Sequence, residues 1–212
     1  MVWVCLAVVP AFAAELDTSR LLKAVQDRYN RARSVQVLFQ QTYSLPGRAP
    51  RSESGELFLR KPGRMRWQYS SPPGKLFVSD GKQLFLYTPA SNQVERMKVR
   101  ESDDLRAPLG FLLGNLDFWR DFGRFAARPE NSDVRITADP KSDQAPYTKV
   151  EFVVTPSYQI RYLRIQGQDQ SVMEFRFTDE KLDPVLAETL FRFQPPAGVE
   201  VVDGVSEEEG AP

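Results

Sequence analysis

After Val35, one short run after another alternates apolar and polar residues with a period of two. Such a period puts every second side chain on one face of an extended strand, so each run buries a single face. SVQVLFQQTYSL sets Val35, Val37, Phe39 and Gln41 on one parity, and ESGELFLRKPG sets Leu57 and Leu59 against Glu56, Phe58 and Arg60. RMRWQYS then places Met65, Trp67 and Tyr69 opposite Arg64, Arg66 and Gln68. KLFVSDG, QLFLYTP, QVERMKV, DVRITAD, YTKVEFVVTP, IRYLRIQG, VMEFRFTDE and TLFRFQPP read the same way, with Met173, Phe175 and Phe177 on one parity and Phe191 paired with Phe193. Turn chemistry separates the runs. Lys61-Pro62-Gly63 closes one strand, and Ser79-Asp80-Gly81-Lys82 is a hairpin turn of the Asp-Gly kind.

Two stretches break the pattern. LDTSRLLKAVQDRYNRARS carries Leu22, Val25, Tyr29 and Ala32 at three- and four-residue spacing, with Asp17 or Thr18 placed to cap, which predicts an amphipathic helix. Between residues 106 and 125, APLGFLLGNLDFWRDFGRF is too apolar for a surface loop and has helical spacing at Leu109, Leu112, Leu113 and Leu116. About ten strands with two helical insertions do not make a βαβ pattern. The expected fold is therefore mainly β of the α+β class: one strongly curved antiparallel sheet with helices on one face and the arginine parity toward solvent.

The chain of 212 residues is long enough for one domain with a sizeable core. MVWVCLAVVPAFAAE is an apolar run ending in the small-x-small pattern Ala11-Phe12-Ala13, which marks residues 1–13 as an export signal. It lacks the usual basic n-region, consistent with a start internal to a longer reading frame. A single domain over 14–203 and an acidic tail over 204–212 complete the expected organisation. Cleavage after Ala13 removes the sole cysteine, Cys5, and leaves a soluble protein outside the cytoplasm.

Lysine plus arginine and aspartate plus glutamate number 28 each, so no net field recruits nucleic acid or an anionic membrane surface. Histidine is absent, which removes serine-histidine and cysteine-histidine catalysis together with the commonest metal ligand. No phosphate loop, dinucleotide glycine pattern, nucleophile elbow or metal-ligand spacing is present, so neither cofactor nor metal is expected. The acid pairs Asp103-Asp104 and Asp179-Glu180 read as solvated turns, and an acid-only hydrolase is the weakest reading. The aromatic set Phe39, Met65, Trp67, Tyr69, Phe152, Phe175 and Phe177 suits a sheet core, and equally the lining of an apolar pocket in a half-closed barrel.

LRKPGRMRWQYSSPPGKLFVSDGKQLFLYTP resembles the LolA family of periplasmic outer-membrane lipoprotein carriers in its basic residue plus proline (Lys61-Pro62), Trp67 and SDGKQLFLYTP. APLGFLLG stands where that family has a proline-led lid helix, and FRFQPPAGVEVVD is similar to its closing strand and Pro-Pro-x-Gly turn. The resemblance covers about Leu16 to Asp203 and implies an open, incomplete antiparallel barrel under a helical lid. It implies a monomeric, non-enzymatic periplasmic chaperone that takes triacylated lipoproteins from an inner-membrane ATP-driven transporter and passes them to an outer-membrane receptor.

By the same resemblance, Leu57, Leu59, Met65, Trp67, Tyr69 and Phe175 line the acyl-chain groove, and Leu109, Phe111, Leu112 and Leu113 belong to the lid. Lys61 stands where the family usually has an arginine that bonds backbone groups of the lid region; lysine lacks the planar fork. Alternatives are a carrier of another lipid or glycolipid on this fold, the lipid-anchored receptor of the same system, and a periplasmic regulatory or scaffold module.

Overall fold

The computed structural model describes residues 17–98 and 116–203. The expected leader, the acidic tail and the lid positions Leu109, Phe111, Leu112 and Leu113 lie outside the described residues. Helix α1 (Thr18–Arg31) starts where the capping residues predict: Asp17 accepts from the Arg20 N–H at 2.9 Å. Its stripe of Leu22, Val25 and Tyr29, extended by Ala32, is buried.

Twelve strands follow among the described residues: β1 (Ser34–Ser44), β2 (Arg51–Arg60), β3 (Arg64–Ser71), β4 (Leu76–Asp80), β5 (Gln83–Thr88), β6 (Gln93–Lys98), β7 (Phe122–Glu130), β8 (Asp133–Pro140), β9 (Tyr147–Val154), β10 (Ile160–Gly167), β11 (Val172–Leu182) and β12 (Glu200–Asp203). A short helix α2 (Phe118–Asp121) leads directly into β7.

All twelve strands form one sheet in the order β12-β6-β5-β4-β3-β2-β1-β11-β10-β9-β8-β7. The chain thus builds two meanders, β1 to β6 and β7 to β11, and joins them through the β1–β11 pair. Every pairing is antiparallel except β12 on β6. The two ends of the order are not paired with each other, so the barrel is open. Register shifts at Gln36/Leu38, Ser54/Gly55, Ile160/Tyr162 and Phe122/Arg124 add local twist and bend the sheet.

Its concave face holds the main core, in which α1 and Phe118 pack with residues from β1, β2, β3, β8, β9, β10 and β11.

Three sequence expectations need correction. TLFRFQPP is not a strand: Glu188–Phe191 is a 3-10 turn, and the chain beyond it runs irregularly until β12. Proline at 195 and 196 supplies no N–H for a ladder, whereas the apolar pair Phe191 and Phe193 needed another partner. They find it on the convex face, where Phe191 is buried and Phe193 stacks on Phe85 at 5.1 Å.

The arginine parity is consequently not a bare solvated face. Arg60 and Arg64 each meet the Glu188 carboxylate at 2.7 Å, and Arg66 donates to the Leu190 carbonyl at 3.2 Å. Finally, β7 begins at Phe122, inside the stretch expected to be helical, because α2 lasts a single turn.

Candidate functional site

The groove residues expected from sequence meet on the concave face. Leu57 faces Trp67 and Leu59 faces Met65 across β2 and β3, and Phe175 reaches the same layer from β11. Leu57, Leu59, Met65, Trp67 and Phe175 are each at most 3% exposed. Tyr69 packs against them only partly buried.

Phe39 on β1 organises the cluster, with its ring edge-on to Trp67 at 4.7 Å and to Tyr69 at 5.2 Å. Trp67 lies 5.7 Å from Phe175, which stacks in turn on Phe177 at 5.8 Å. Phe39 pairs with Gly55 on β2, and Gly55 with Tyr69 on β3. The glycine in the middle strand lets the β3 backbone approach closely at Gln68 and Tyr69, beside the contact of the two outer aromatic rings. Nothing in the alternation alone marks Gly55 as that point of close approach.

At one rim Lys75 binds both oxygens of Glu53 at 2.7 and 2.8 Å and lies 4.5 Å over the Tyr69 ring. Burial, with the Glu53 charge adding to it, pushes the Tyr69 phenol well above its ordinary value. This end of the face is therefore closed by a charged pair over an aromatic ring.

At the other rim the last turn of α1 is a junction. Lys61, in the turn between β2 and β3, donates from Nζ to the carbonyls of Tyr29 at 2.9 Å and Asn30 at 2.7 Å. Those carbonyls have no partner within the helix, so a cation there satisfies two acceptors and opposes the negative end of the dipole. Burial holds the Lys61 ammonium below its ordinary value, with Asp183 acting in the opposite sense.

The Asn30 side chain clamps Leu116: Nδ2 donates to the Leu116 carbonyl and Oδ1 accepts from its N–H. Gln26 Oε1 accepts from the Phe118 N–H at 3.3 Å. Sequence reading missed both amides, because an asparagine or glutamine on a helix surface carries no signal of its partner.

It also read Asp179-Glu180 as a solvated pair, and here the structure differs. The Glu180 side chain is 4% exposed, meets Arg28 at 2.6 Å and accepts from the Tyr29 hydroxyl at 2.7 Å. That hydroxyl accepts in turn from the Ile160 N–H at 3.0 Å. Burial and the Glu180 charge raise the Tyr29 phenol far above its usual range. The group ties α1 to β10 and β11.

The concave face therefore carries a broad layer of packed apolar side chains, with an N-terminal helix fixed at its end by polar contacts, and no converging set of nucleophile, base and oxyanion donors among the described residues. Residues 30–194 match the family described as outer membrane lipoprotein carrier protein LolA. The chain belongs to this family.

The LolA match starts at Asn30 and so takes in Lys61, the whole aromatic cluster and Glu180. A protein named outer-membrane lipoprotein carrier protein from Proteus mirabilis is 31% identical over 180 residues, covering 84% of this chain and 86% of that one. One of the same name from Dechloromonas aromatica is 27% identical over 93% of each chain.

Among solved structures, an uncharacterized conserved protein from Thermus thermophilus superposes with a TM-score of 0.55 at 11% identity, over 88% of this chain and 98% of its own. The lipoprotein LppX of Mycobacterium tuberculosis gives 0.50 at 12% identity, over 80% and 98%. At such identities these two likenesses speak for the fold alone.

Proposed function

We propose that the protein carries acylated lipoproteins across the periplasm, accepting them from an inner-membrane ATP-driven transporter and delivering them to an outer-membrane receptor. The observation that carries the reading is the apolar layer of Leu57, Leu59, Met65, Trp67, Tyr69 and Phe175 on the concave face in a chain of the LolA family. Three acyl chains hold on the order of 40 methylenes, and at about 0.8 kcal/mol each their exposure to water would cost tens of kcal/mol. A carrier has to cover them without retaining them, and it needs no catalytic group, since transfer is an exchange between binding sites.

In this reading the segment with Leu109, Phe111, Leu112 and Leu113 covers the empty groove and competes with cargo. Lys61 is its latch, favouring the covered state through the end of α1. Competition of this kind lowers apparent affinity by the fraction of molecules that are open, which makes release possible. The protein acts as a monomer and uses no cofactor.

The test adds purified protein and ATP to proteoliposomes holding the transporter and a triacylated lipoprotein, followed by gel filtration of the soluble fraction. Lipoprotein eluting in a one-to-one complex with this chain is the expected result. Release of nothing, with free lipids still bound, would assign the groove to a different lipid cargo.

A further inference from the structure

Among the described residues, two side-chain polar atoms are buried with no hydrogen-bond partner: Arg28 Nε and Trp67 Nε1. They are not equivalent. Arg28 keeps a strong bond from Nη2 to Glu180, so its charge is compensated. Trp67 has a single polar atom, a donor that accepts nothing, and the residue is 3% exposed between the rings of Phe39 and Phe175. A phenylalanine there would present an apolar ring without stranding a donor. An unpaired buried N–H weakens the empty state, and that penalty disappears as soon as an acceptor enters. Methylene chains carry no acceptor. The carbonyl oxygen at the head of an acyl chain does.

We propose that the Trp67 indole N–H donates to an acyl carbonyl oxygen of the cargo, so that the groove selects ester- or amide-linked chains over plain hydrocarbon. This rests on the carrier reading and deepens it: the apolar lining sets how much chain is covered, and Trp67 sets what chemistry stands at its head. The surrounding rings exclude water, which strengthens the bond to a carbonyl once it is made.

The test compares two lipids of equal chain length, dipalmitoylglycerol, which has ester carbonyls, and di-O-hexadecylglycerol, whose ether links have none. Binding to the purified protein is measured for each, and the indole N–H resonance of Trp67 is followed with nitrogen-15-labelled tryptophan. The expected result is a preference of about tenfold for the ester lipid, equivalent to about 1.4 kcal/mol. It is accompanied by a downfield indole shift with the ester lipid only, and Trp67→Phe binds both lipids alike. Equal binding of the two lipids by the unsubstituted protein, or the same indole shift with both, would overturn the role of Trp67 and leave the carrier reading standing. Binding of neither lipid overturns both. The comparison on the unsubstituted protein decides the matter even if Trp67→Phe folds poorly.

Discussion

The side-chain amide of Asn30 closes on both backbone groups of Leu116, donating to the carbonyl at 2.8 Å and accepting from the N–H at 3.0 Å. The same residue's own carbonyl receives the Lys61 ammonium. Asn30 is thus the shared partner of the turn between β2 and β3 and of the chain entering α2. Asn30→Ala removes both amide bonds and is expected to cost about 1–2 kcal/mol. Amide hydrogen exchange at Leu116 and Phe118 should quicken in the variant, while the amides of β9 and β10 keep their protection. Unchanged exchange at Leu116 would mean that packing of Phe118 alone holds this segment.

In the proposed mechanism Lys61 biases the carrier toward its covered state, and its substitution separates loading from release. Lys61→Leu keeps much of the aliphatic stem but strands two carbonyls at the end of α1. Loading from the transporter should be preserved, and apparent cargo affinity should rise by about tenfold or more as the covered state loses its hydrogen bonds. Hand-over to the receptor should fall in proportion, and Lys61→Arg should restore it. Normal transfer by Lys61→Leu would remove the latch from the proposed mechanism.

The sheet was legible because its signal is local. Period-two runs separated by Lys61-Pro62-Gly63 and by Asp80-Gly81 give the β2–β3 and β4–β5 hairpins directly, and the stripe Leu22, Val25, Tyr29 gives α1. That Leu57, Leu59, Met65 and Trp67 share one buried face followed from parity, while a role in holding acyl chains came only from the family resemblance. What stayed hidden was set by long-range partners. Phe191 and Phe193 alternate like a strand, yet they go to the convex face because Arg60, Arg64 and Arg66 hold that segment there. Glu180 looks like a turn acid until Arg28 and Tyr29 arrive from residues about 150 positions away. No window of sequence contains both halves of such a contact.

Glu180 carries a buried charge whose partners both sit on α1. Glu180→Ala leaves the Arg28 guanidinium and the Tyr29 hydroxyl without their acceptor, and a broken buried pair costs about 3–5 kcal/mol. The urea midpoint should drop by that equivalent with an unchanged slope. Glu180→Gln keeps an acceptor for Tyr29 and should lose less. Equal midpoints for Glu180→Ala and the unsubstituted protein would show that Arg28 and Tyr29 find water instead.

Four tyrosines are held above their ordinary range, chiefly by burial: Tyr29, Tyr69, Tyr147 and Tyr162, the last pushed up to about 12 by burial and by its bond to Glu174. A group whose value is raised on folding keeps its proton in the native chain where the unfolded chain has released it. Its contribution is complete below about pH 10 and declines as pH rises through the folded value. Stability should therefore fall between about pH 10 and 12. Phenolate absorbance at about pH 11 should step up when urea unfolds the protein, and an unchanged absorbance would show that these phenols titrate freely in the native state.

Gly55 is the one position in the aromatic layer where a single methyl group is excluded by backbone. A Cβ built there would lie 2.1 Å from the Gln68 carbonyl oxygen and 2.8 Å from the Tyr69 Cα. Neither atom can rotate away, so Gly55→Ala has to part β2 from β3 at the irregularity between Ser54 and Gly55. Because the Tyr69 backbone is one of the groups displaced, the shift also moves its ring relative to Phe39. We expect a loss of about 1–3 kcal/mol or more, read as a lower urea midpoint, together with weaker near-ultraviolet circular dichroism from the separated rings. Ser54→Ala, one residue away, adds no atoms to the strand and should leave the aromatic signal intact. If Gly55→Ala matches it in both measurements, the close approach of the two strands is not what fixes the aromatic layer.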